Sequence, residues 1–186
     1  MPSRRAAAWG AVAVAVVLAA GLALALWRAW AVRERPAPPE AAPDTTQAGV
    51  RSATLWFADP QGDSLVSEPR PLVEVEGLHE RIAALVEALE RGSNRQALEP
   101  LPPGTEVLHA YLDDQGLLVL DLSSPFQQGF HGGSRAEALA VGALVRTVAS
   151  NVPGVQRVLL TCGGVPIASL GGHVPLDRPL DVRDWY

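Results

Sequence analysis

The sequence predicts an α+β fold in which two helices pack on one face of a mainly antiparallel sheet, preceded by one N-terminal transmembrane helix. Three observations support this prediction. Two segments repeat apolar residues at i, i+3, i+4 and i+7, β-favouring runs separated by glycine and proline turns surround them, and an uncharged apolar run begins at Ala6. Each helix has one apolar face to bury, and one sheet can cover both.

The N-terminal region predicts a membrane anchor. Residues 1–5 form a short basic head, and residues 6–27 carry no charge. A helix of that length spans roughly 33 Å at about 1.5 Å per residue, enough to cross a bilayer. Trp27 and Trp30 follow, where indole rings favour the interface. Signal-peptide cleavage near Ala25 is the alternative, but the run exceeds the usual signal-peptide core. We expect a retained signal anchor.

The anchor and the segment after it predict the location of the folded domain. Arginines flank both ends of the span, so the positive-inside count does not decide its orientation. A short head before a long apolar run and a folded domain is the usual layout of a signal anchor whose C-terminus lies outside. Residues 28–50, rich in proline and alanine, read as an extended tether. We therefore expect a single-pass protein of the cytoplasmic (inner) membrane, with residues 51–186 periplasmic or extracellular.

Composition excludes several classes of function. The chain of 186 residues has a formal net charge of −5, and residues 51–186 carry ten arginines against seventeen acidic residues. Such a surface repels nucleic acid, so no nucleic-acid partner is expected. There is no lysine, which excludes a Walker-type phosphate loop and a Schiff base. The single cysteine excludes an intrachain disulfide and a cysteine-based zinc finger.

The first half of the folded part predicts two strands and a helix. Ala53–Ala58 favours a strand and ends at the turn Asp59–Gly62, and the alternation in Pro71–Glu76 predicts a second strand with one buried face. The segment His79–Arg91 predicts a helix that Gly92 ends. Its apolar stripe consists of Ile82, Leu85, Val86 and Leu89.

The second half repeats this arrangement. A hairpin is predicted from Thr105–Leu112 and Leu117–Leu122, joined by a polar turn with glycine. Ser134 and Glu137 have the spacing of a capping box at the start of the second helix. The helix stripe consists of Val141, Leu144, Val145 and Val148. Two final strands are predicted at Val155–Thr161 and Val165–Ser169, with Gly163-Gly164 as the turn.

Few residues suggest chemistry. Asp121, Ser169 and His173 could form a catalytic triad, but the nucleophile-elbow motif is absent because Ile167 replaces its first glycine. Gly132-Gly133 before a helix could bind an anion or permit a tight entry to that helix. Cys162 reads as a buried small hydrophobe or a reactive thiol. Four histidines lack the paired spacing of metal ligands, and neither metal nor cofactor is expected: His79, His109, His131 and His173.

Several short segments resemble the GerMN domain family of sporulation and germination proteins. They occur in the family's order, across roughly residues 52–184: Leu55-Trp56-Phe57-Ala58-Asp59, Asp121-Leu122-Ser123, Gly132-Gly133-Ser134, Pro153-Gly154-Val155 and Leu170-Gly171-Gly172-His173 with Pro179-Leu180. The matched motif residues are Asp121, Ser123, Gly132, Gly133, Ser134, Gly171, Gly172 and His173. The resemblance implies an exported, membrane-tethered, non-catalytic domain, similar in fold to the ring-building motifs of secretion systems.

The functional expectation is a non-enzymatic envelope interaction and assembly module. Its expected partners are envelope proteins and a second copy of the chain, with the N-terminal helix in the membrane. Two alternatives remain: an enzyme acting on peptidoglycan, and a sensor domain that binds a small ligand. The chain differs from the family pattern in having one copy of the domain and an apolar helix where many relatives carry a lipidated cysteine.

Overall fold

The computed structural model describes residues 21–28, 49–95 and 99–186. Residues 21–28 are helical (α1), and Gln47–Tyr186 form a separate compact unit. Most of the predicted anchor 6–27 and almost all of the predicted tether 28–50 lie outside the described residues. Within the described residues, no helix combines the length and apolar character needed to traverse a bilayer.

The compact unit contains seven strands and three α-helices among its described residues. In chain order they are β1 Val50–Ala58, β2 Leu65–Val73, α2 Leu78–Glu90, β3 Val107–Leu112, β4 Leu117–Leu122, α3 Pro125–Gln128, α4 Ser134–Asn151, β5 Arg157–Cys162, β6 Val165–Pro166 and β7 Leu180–Asp181. A 3-10 turn, Val182–Trp185, follows β7. The fold is α+β, as predicted.

The first two strands form a long antiparallel hairpin that is a sheet of its own. The sequence predicted a strand at Pro71–Glu76, but β2 begins earlier, at Leu65, and ends at Val73. The Asp59 carboxylate organises the hairpin loop by accepting N–H bonds from Asp63 at 2.7 Å and Ser64 at 3.3 Å. Pairing with β1 extends β2 over a segment in which apolar and polar residues do not alternate.

Helix α4 covers the other edge of β1 with two side chains. Asn151 Oδ1 accepts the Thr54 N–H at 3.0 Å, and Asn151 Nδ2 donates to the Thr54 carbonyl at 2.8 Å. Thr147 Oγ1 accepts the Trp56 N–H at 2.9 Å. Three backbone groups of β1 that face away from β2 are therefore satisfied by a helix, which covers the middle of this strand edge.

The second sheet is mixed, which corrects the single mainly antiparallel sheet that was predicted. Its strand order is β3-β4-β5-β6, and β7 also pairs with β5. The predicted β3–β4 hairpin is antiparallel, but β4 and β5 run parallel. Helix α4 lies between β4 and β5 in the chain, and such a crossover returns the chain in the same direction.

The last strands are shorter than predicted. Strand β5 begins at Arg157, and β6 consists of only Val165 and Pro166 where Val165–Ser169 was predicted. Proline has no N–H to continue a ladder, and the chain leaves the sheet after Pro166. Its return is fixed by the Leu176 N–H, which donates to the Ala168 carbonyl at 2.9 Å.

One core joins the helices to both sheets. Helices α2 and α4 contact each other, α4 packs on β1, and α2 packs on β1 and β3. The alternation of β4 and β5 directs one set of apolar side chains into this core: Leu118, Leu120, Leu122, Val158 and Leu160. Both predicted helix stripes are buried there, since Ile82, Leu85, Val86, Leu89, Val141, Leu144, Val145 and Val148 all belong to the same cluster.

Candidate functional site

Asp121 stabilises the turn between β5 and β6 by hydrogen bonds. Its side chain lies on β4 and is buried, and Oδ1 accepts bonds from Thr161 Oγ1 at 2.7 Å and from the Gly164 N–H at 2.7 Å. His109 Nδ1 lies 3.5 Å from Oδ2. Burial raises the pKa of Asp121, but the hydrogen bonds from Gly164, Thr161 and His109 outweigh it and leave the pKa below its usual value.

Ser123 connects the end of β4 to the loop before β3. Its hydroxyl accepts the Glu106 N–H at 2.9 Å and donates to the Gly104 carbonyl at 2.9 Å. The Ser123 N–H also donates to the Glu106 carbonyl. Both donor and acceptor functions of the hydroxyl are therefore used within the fold.

Glu137 is the centre of the most elaborate polar site, which we call the Glu137 loop and define as residues 169–174 with the carboxylate they surround. The Glu137 side chain is fully buried. Its Oε1 accepts the Leu170 N–H at 2.8 Å, and its Oε2 accepts the His173 N–H at 2.9 Å. His173 Nδ1 lies 3.1 Å from the same Oε2. The Glu137 loop thus surrounds a carboxylate supplied by α4.

The electrostatics of the Glu137 loop favour an ionised carboxylate. Burial raises the pKa of Glu137, but N–H groups of Gly171, His173, Leu170 and Val174 lower it further than burial raises it. Converging backbone donors stabilise a carboxylate because each bond is stronger to the charged form. The buried charge is therefore compensated by the loop that it organises.

The capping-box prediction for Ser134 and Glu137 is wrong. Gly133 is the N-cap, Ser134 is the first residue of α4, and no side chain caps this end. The Glu137 carboxylate is directed to the Glu137 loop instead. The backbone donors of a distant loop outcompete one local N–H, which a sequence pattern of four residues cannot reveal.

The motif glycines are explained by space and by backbone conformation. A Cβ on Gly171 would lie 3.1 Å from Glu137 Oε2 and 3.1 Å from the Gly132 carbonyl. Gly172 has φ +88°, a backbone conformation that is strained for residues with a Cβ atom. A Cβ on Gly132 would meet Phe130 and Ala136 within 2.9 Å, whereas nothing lies near Gly133. Three of these four glycines therefore have a structural reason.

The structure does not assemble the hypothetical triad. Asp121 is engaged with Thr161, Gly164 and His109, whereas His173 is engaged with Glu137. Ser169 Oγ accepts the Gly172 N–H at 2.9 Å within the loop. Each member of the set thus stabilises a different turn.

Neither histidines nor the cysteine form an evident reactive centre. Across residues 21–28, 49–95 and 99–186, no three His, Cys, Asp or Glu side chains are grouped as metal ligands. Cys162 is half-buried, and its Sγ lies 3.9 Å from the Ser123 carbonyl. Burial and the nearby Asp121 charge raise the pKa of the thiol. A raised pKa disfavours the nucleophilic thiolate at neutral pH.

A cation–aromatic cluster was missed by the sequence reasoning. The Arg146 guanidinium carbon lies 3.3 Å from the Trp56 ring centroid and 4.9 Å from the Tyr186 ring centroid. Arg146 Nε is buried without a hydrogen-bond partner, and burial lowers the pKa of Arg146. Arg146 and Trp56 meet because α4 covers β1, and Tyr186 follows the 3-10 turn Val182–Trp185, which also contacts α4.

A cleft of about 490 Å³ lies beside the start of α4. Its walls include Pro100, Pro102, Phe130, His131 and Leu139, and Arg135 at its rim is paired with Asp63. The cleft is mainly apolar, and its charged or titratable lining residues are Glu99, His131 and Arg135, which suits a small amphipathic ligand better than an inorganic anion.

Comparison with solved structures shows the same fold. The first GerMN domain of the sporulation protein GerM from Bacillus subtilis has a TM-score of 0.59 and 19% identity, over 72% of this chain and 99% of that one. The tandem GerMN domains of the same protein give a TM-score of 0.59 and 20% identity, over 72% of this chain and 47% of that one. This chain therefore spans about half of the tandem protein.

A third solved structure comes from Clostridium perfringens and is described as a candidate lipoprotein. Its TM-score is 0.51 at 19% identity, over 73% of this chain and 90% of that one. No curated protein matches. The family model described as "Germane: Sporulation and spore germination" matches residues 54–168, which run from within β1 to the residues just after β6. The chain therefore belongs to the Germane family of sporulation and spore-germination domains, as the ordered motifs predicted.

Proposed function

We propose that this chain is a membrane-anchored, non-catalytic assembly module of the GerMN type, with its folded domain on the exported side of the cytoplasmic membrane. One observation carries the proposal: several polar residues of the family motifs form bonds that hold loops in place. Asp121 and Ser123 accept bonds from backbone or hydroxyl groups, and His173 contacts the buried carboxylate of Glu137. A surface of fixed shape is what a docking domain requires.

Membership of the Germane family and the uncharged N-terminal run support the location. The Clostridium relative is described as a candidate lipoprotein, which is consistent with tethering to a membrane. The acidic domain surface supports protein partners over anionic headgroups, because like charges repel.

The location is tested by fusing alkaline phosphatase to the C-terminus of the full chain. The enzyme requires disulfides that form outside the cytoplasm, so an active fusion in the membrane fraction is expected. A matched fusion that lacks residues 6–27 should be inactive and soluble in the cytoplasm. An inactive full-length fusion, at equal protein level, would overturn the proposed orientation.

The interaction role is tested by photocrosslinking in living cells. A photoreactive residue is placed at exposed positions over the domain, and adducts are identified by mass spectrometry. Reproducible adducts with envelope proteins at neighbouring positions, and none at distant ones, are expected. A chain that yields no position-dependent adduct, with itself or another protein, would contradict the assembly role.

The cleft beside α4 favours ligand binding as a second candidate function. Its volume of about 490 Å³ lies in the usual range of small-ligand sites. A ligand that binds only the native state raises its melting temperature. A ligand library screened by thermal shift, with Leu139→Trp to fill the cleft as control, should give hits that this variant abolishes. If no compound gives a shift that depends on Leu139, the sensor function is rejected.

A further inference from the structure

The outer edge of β2 is closed to strand addition by two prolines. The Thr54 N–H and carbonyl both bond to Asn151, so they face away from β2. Pro69 is paired with Thr54 in the hairpin register, and its backbone groups therefore face away from β1. Pro71 lies two residues on and points the same way. Neither residue has an N–H, so this edge lacks two consecutive outward donors.

The other strand edges differ in what they offer. Strand β1 is covered by α4, and β6 and β7 contain two residues each. Strand β3 has six residues without proline, and it pairs only with β4 among the described strands. It is therefore the only long strand edge left open in the described part of the chain.

The outward-facing groups of β3 follow from the hairpin register. The Asp113 N–H donates to the Leu117 carbonyl at 3.0 Å, so Tyr111 and His109, two and four residues earlier, also bond towards β4. Ala110 and Leu112 consequently point their N–H and carbonyl groups outwards. Within the described residues, no group bonds to them.

We propose that a second copy of this chain pairs antiparallel with β3, with Tyr111 on the twofold axis. Ala110 of each copy then pairs with Leu112 of the other, and four backbone hydrogen bonds form. This proposal deepens the proposed assembly function, because it names one partner and the surface that binds it. The Tyr111 side chain, 66% exposed in the single chain, contacts its own counterpart across the axis.

The charge pattern supports a second copy as the occupant. Strand β3 carries no arginine or acidic residue, although the domain as a whole is acidic. In the register centred on Tyr111, His109 lies opposite Asp113 of the other copy on the same face. The His109 side chain is 86% exposed, and Asp113 uses only Oδ1 for its own turn. No acidic residue lies directly opposite another in this register.

A disulfide across the axis tests the proposal. Residues facing each other in a non-hydrogen-bonded antiparallel pair have Cα atoms about 4.5 Å apart, within the range of a disulfide. Full-length Tyr111→Cys in a Cys162→Ser background, oxidised in membranes, should therefore form covalent dimers. The matched control Ser67→Cys, exposed on the closed edge of β2, should remain monomeric. Equal crosslinking of both variants, or none of the Tyr111→Cys variant, overturns the proposal.

A second variant separates backbone pairing from mere proximity. Ala110→Pro removes an outward donor and leaves the β4 ladder intact, as the prolines of β2 do. Two of the four hydrogen bonds are lost, so the dimer fraction should fall about tenfold at limiting concentration. Circular dichroism verifies that the variant folds. Undiminished crosslinking in the folded Ala110→Pro, Tyr111→Cys, Cys162→Ser chain would also overturn β3 pairing.

The unsubstituted chain provides a measurement independent of cysteine. Full-length protein in detergent should show a dimer by sedimentation equilibrium, and Ala110→Pro should weaken it by removing two of its hydrogen bonds. A monomer at all concentrations excludes the pairing. If this dimer is not found, the orientation reported by the alkaline phosphatase fusion and the crosslinked adducts with other proteins are unaffected. The two proposals can therefore be rejected independently.

Discussion

Glu137 shows how much one residue contributes to the shape of a distant segment. Its carboxylate is more than thirty residues from the Leu170–His173 backbone that donates to it, yet it satisfies donors that the loop would otherwise leave without partners. Buried polar groups without a partner are costly, so loop and carboxylate depend on each other. The sequence placed Gly171, Gly172 and His173 in a family motif here, but it did not reveal the carboxylate.

Glu137→Gln should destabilise the domain by about 2–4 kcal/mol, because an amide nitrogen replaces an acceptor in front of backbone donors and the compensating charge is lost. The free energy of unfolding is measured by urea denaturation. The control Glu87→Gln changes an exposed residue of α2 and should alter stability by less than about 0.5 kcal/mol. Equal effects of the two substitutions would refute the role assigned to Glu137.

Two motif glycines should differ in how much stability is lost when each is replaced by alanine. Gly172→Ala should cost about 1–2 kcal/mol, because φ +88° strains any residue with a Cβ. Gly133→Ala should be close to neutral, since φ is −87° and no atom lies within 4 Å of the added Cβ. Thermal denaturation of the two variants checks this difference. A neutral Gly172→Ala would show that the loop readily adopts another backbone path.

At the level of elements, helices α2 and α4 and the β3–β4 hairpin could be predicted from the sequence, and helix α3 and the β1–β2 hairpin could not. Leu118, Leu120 and Leu122 alternate, and the helix stripes repeat with helical spacing, so local pattern was sufficient. Strand β2 contains Pro69 and Pro71, which normally argue against a strand. They are tolerated because their nitrogens face away from β1, a property of register and not of composition.

Asn151→Ala should destabilise the domain by about 2–3 kcal/mol, because it leaves the Thr54 N–H and carbonyl without partners at a half-buried edge. Hydrogen exchange at the Thr54 amide should accelerate more than at β4 amides. Ser150→Ala removes only an exposed bond to the Trp56 indole and serves as the control. Unchanged Thr54 exchange in Asn151→Ala would contradict the covering role of α4.

For the whole molecule, the sequence could predict the family and fold class because its motifs occur in the family's order along the chain. It could not predict how those motifs meet. From the sequence, Asp121 and His173 could belong to one catalytic triad. In the fold, Asp121 bonds to the hydroxyl of Thr161, whereas His173 contacts the carboxylate of Glu137. The mixed sheet was missed because the direction of β5 depends on the crossover through α4.

Acid should unfold the domain through carboxylates that are ionised in the native state. Burial raises the pKa of Glu68 in β2, but hydrogen bonds from Ser93, Arg70 and the Asn94 N–H lower it further. Glu137, Asp121 and Glu68 thus have pKa values below their ordinary values, 4.5 for glutamate and 3.8 for aspartate. The unfolded chain therefore binds protons first as pH falls. Their stabilisation is fully present above about pH 4.5 and is lost as pH falls through the lower native pKa values.

Urea denaturation between pH 7 and pH 3 measures this dependence. The slope of stability against pH below pH 4.5 should be smaller in Glu137→Gln than in the unsubstituted protein. The Glu87→Gln control should retain the original slope. Parallel slopes in all three proteins would mean that Glu137 binds protons equally in the native and unfolded states.

The prolines of β2 have a consequence for the size of any assembly built by sheet extension. A domain with two available strand edges can add copies without limit and grow into a filament. Here the prolines close the outer edge of β2, so the strands that the structure describes leave one long edge for this type of contact. Once β3 is occupied, growth by strand addition terminates, and larger assemblies must recruit surfaces other than strands.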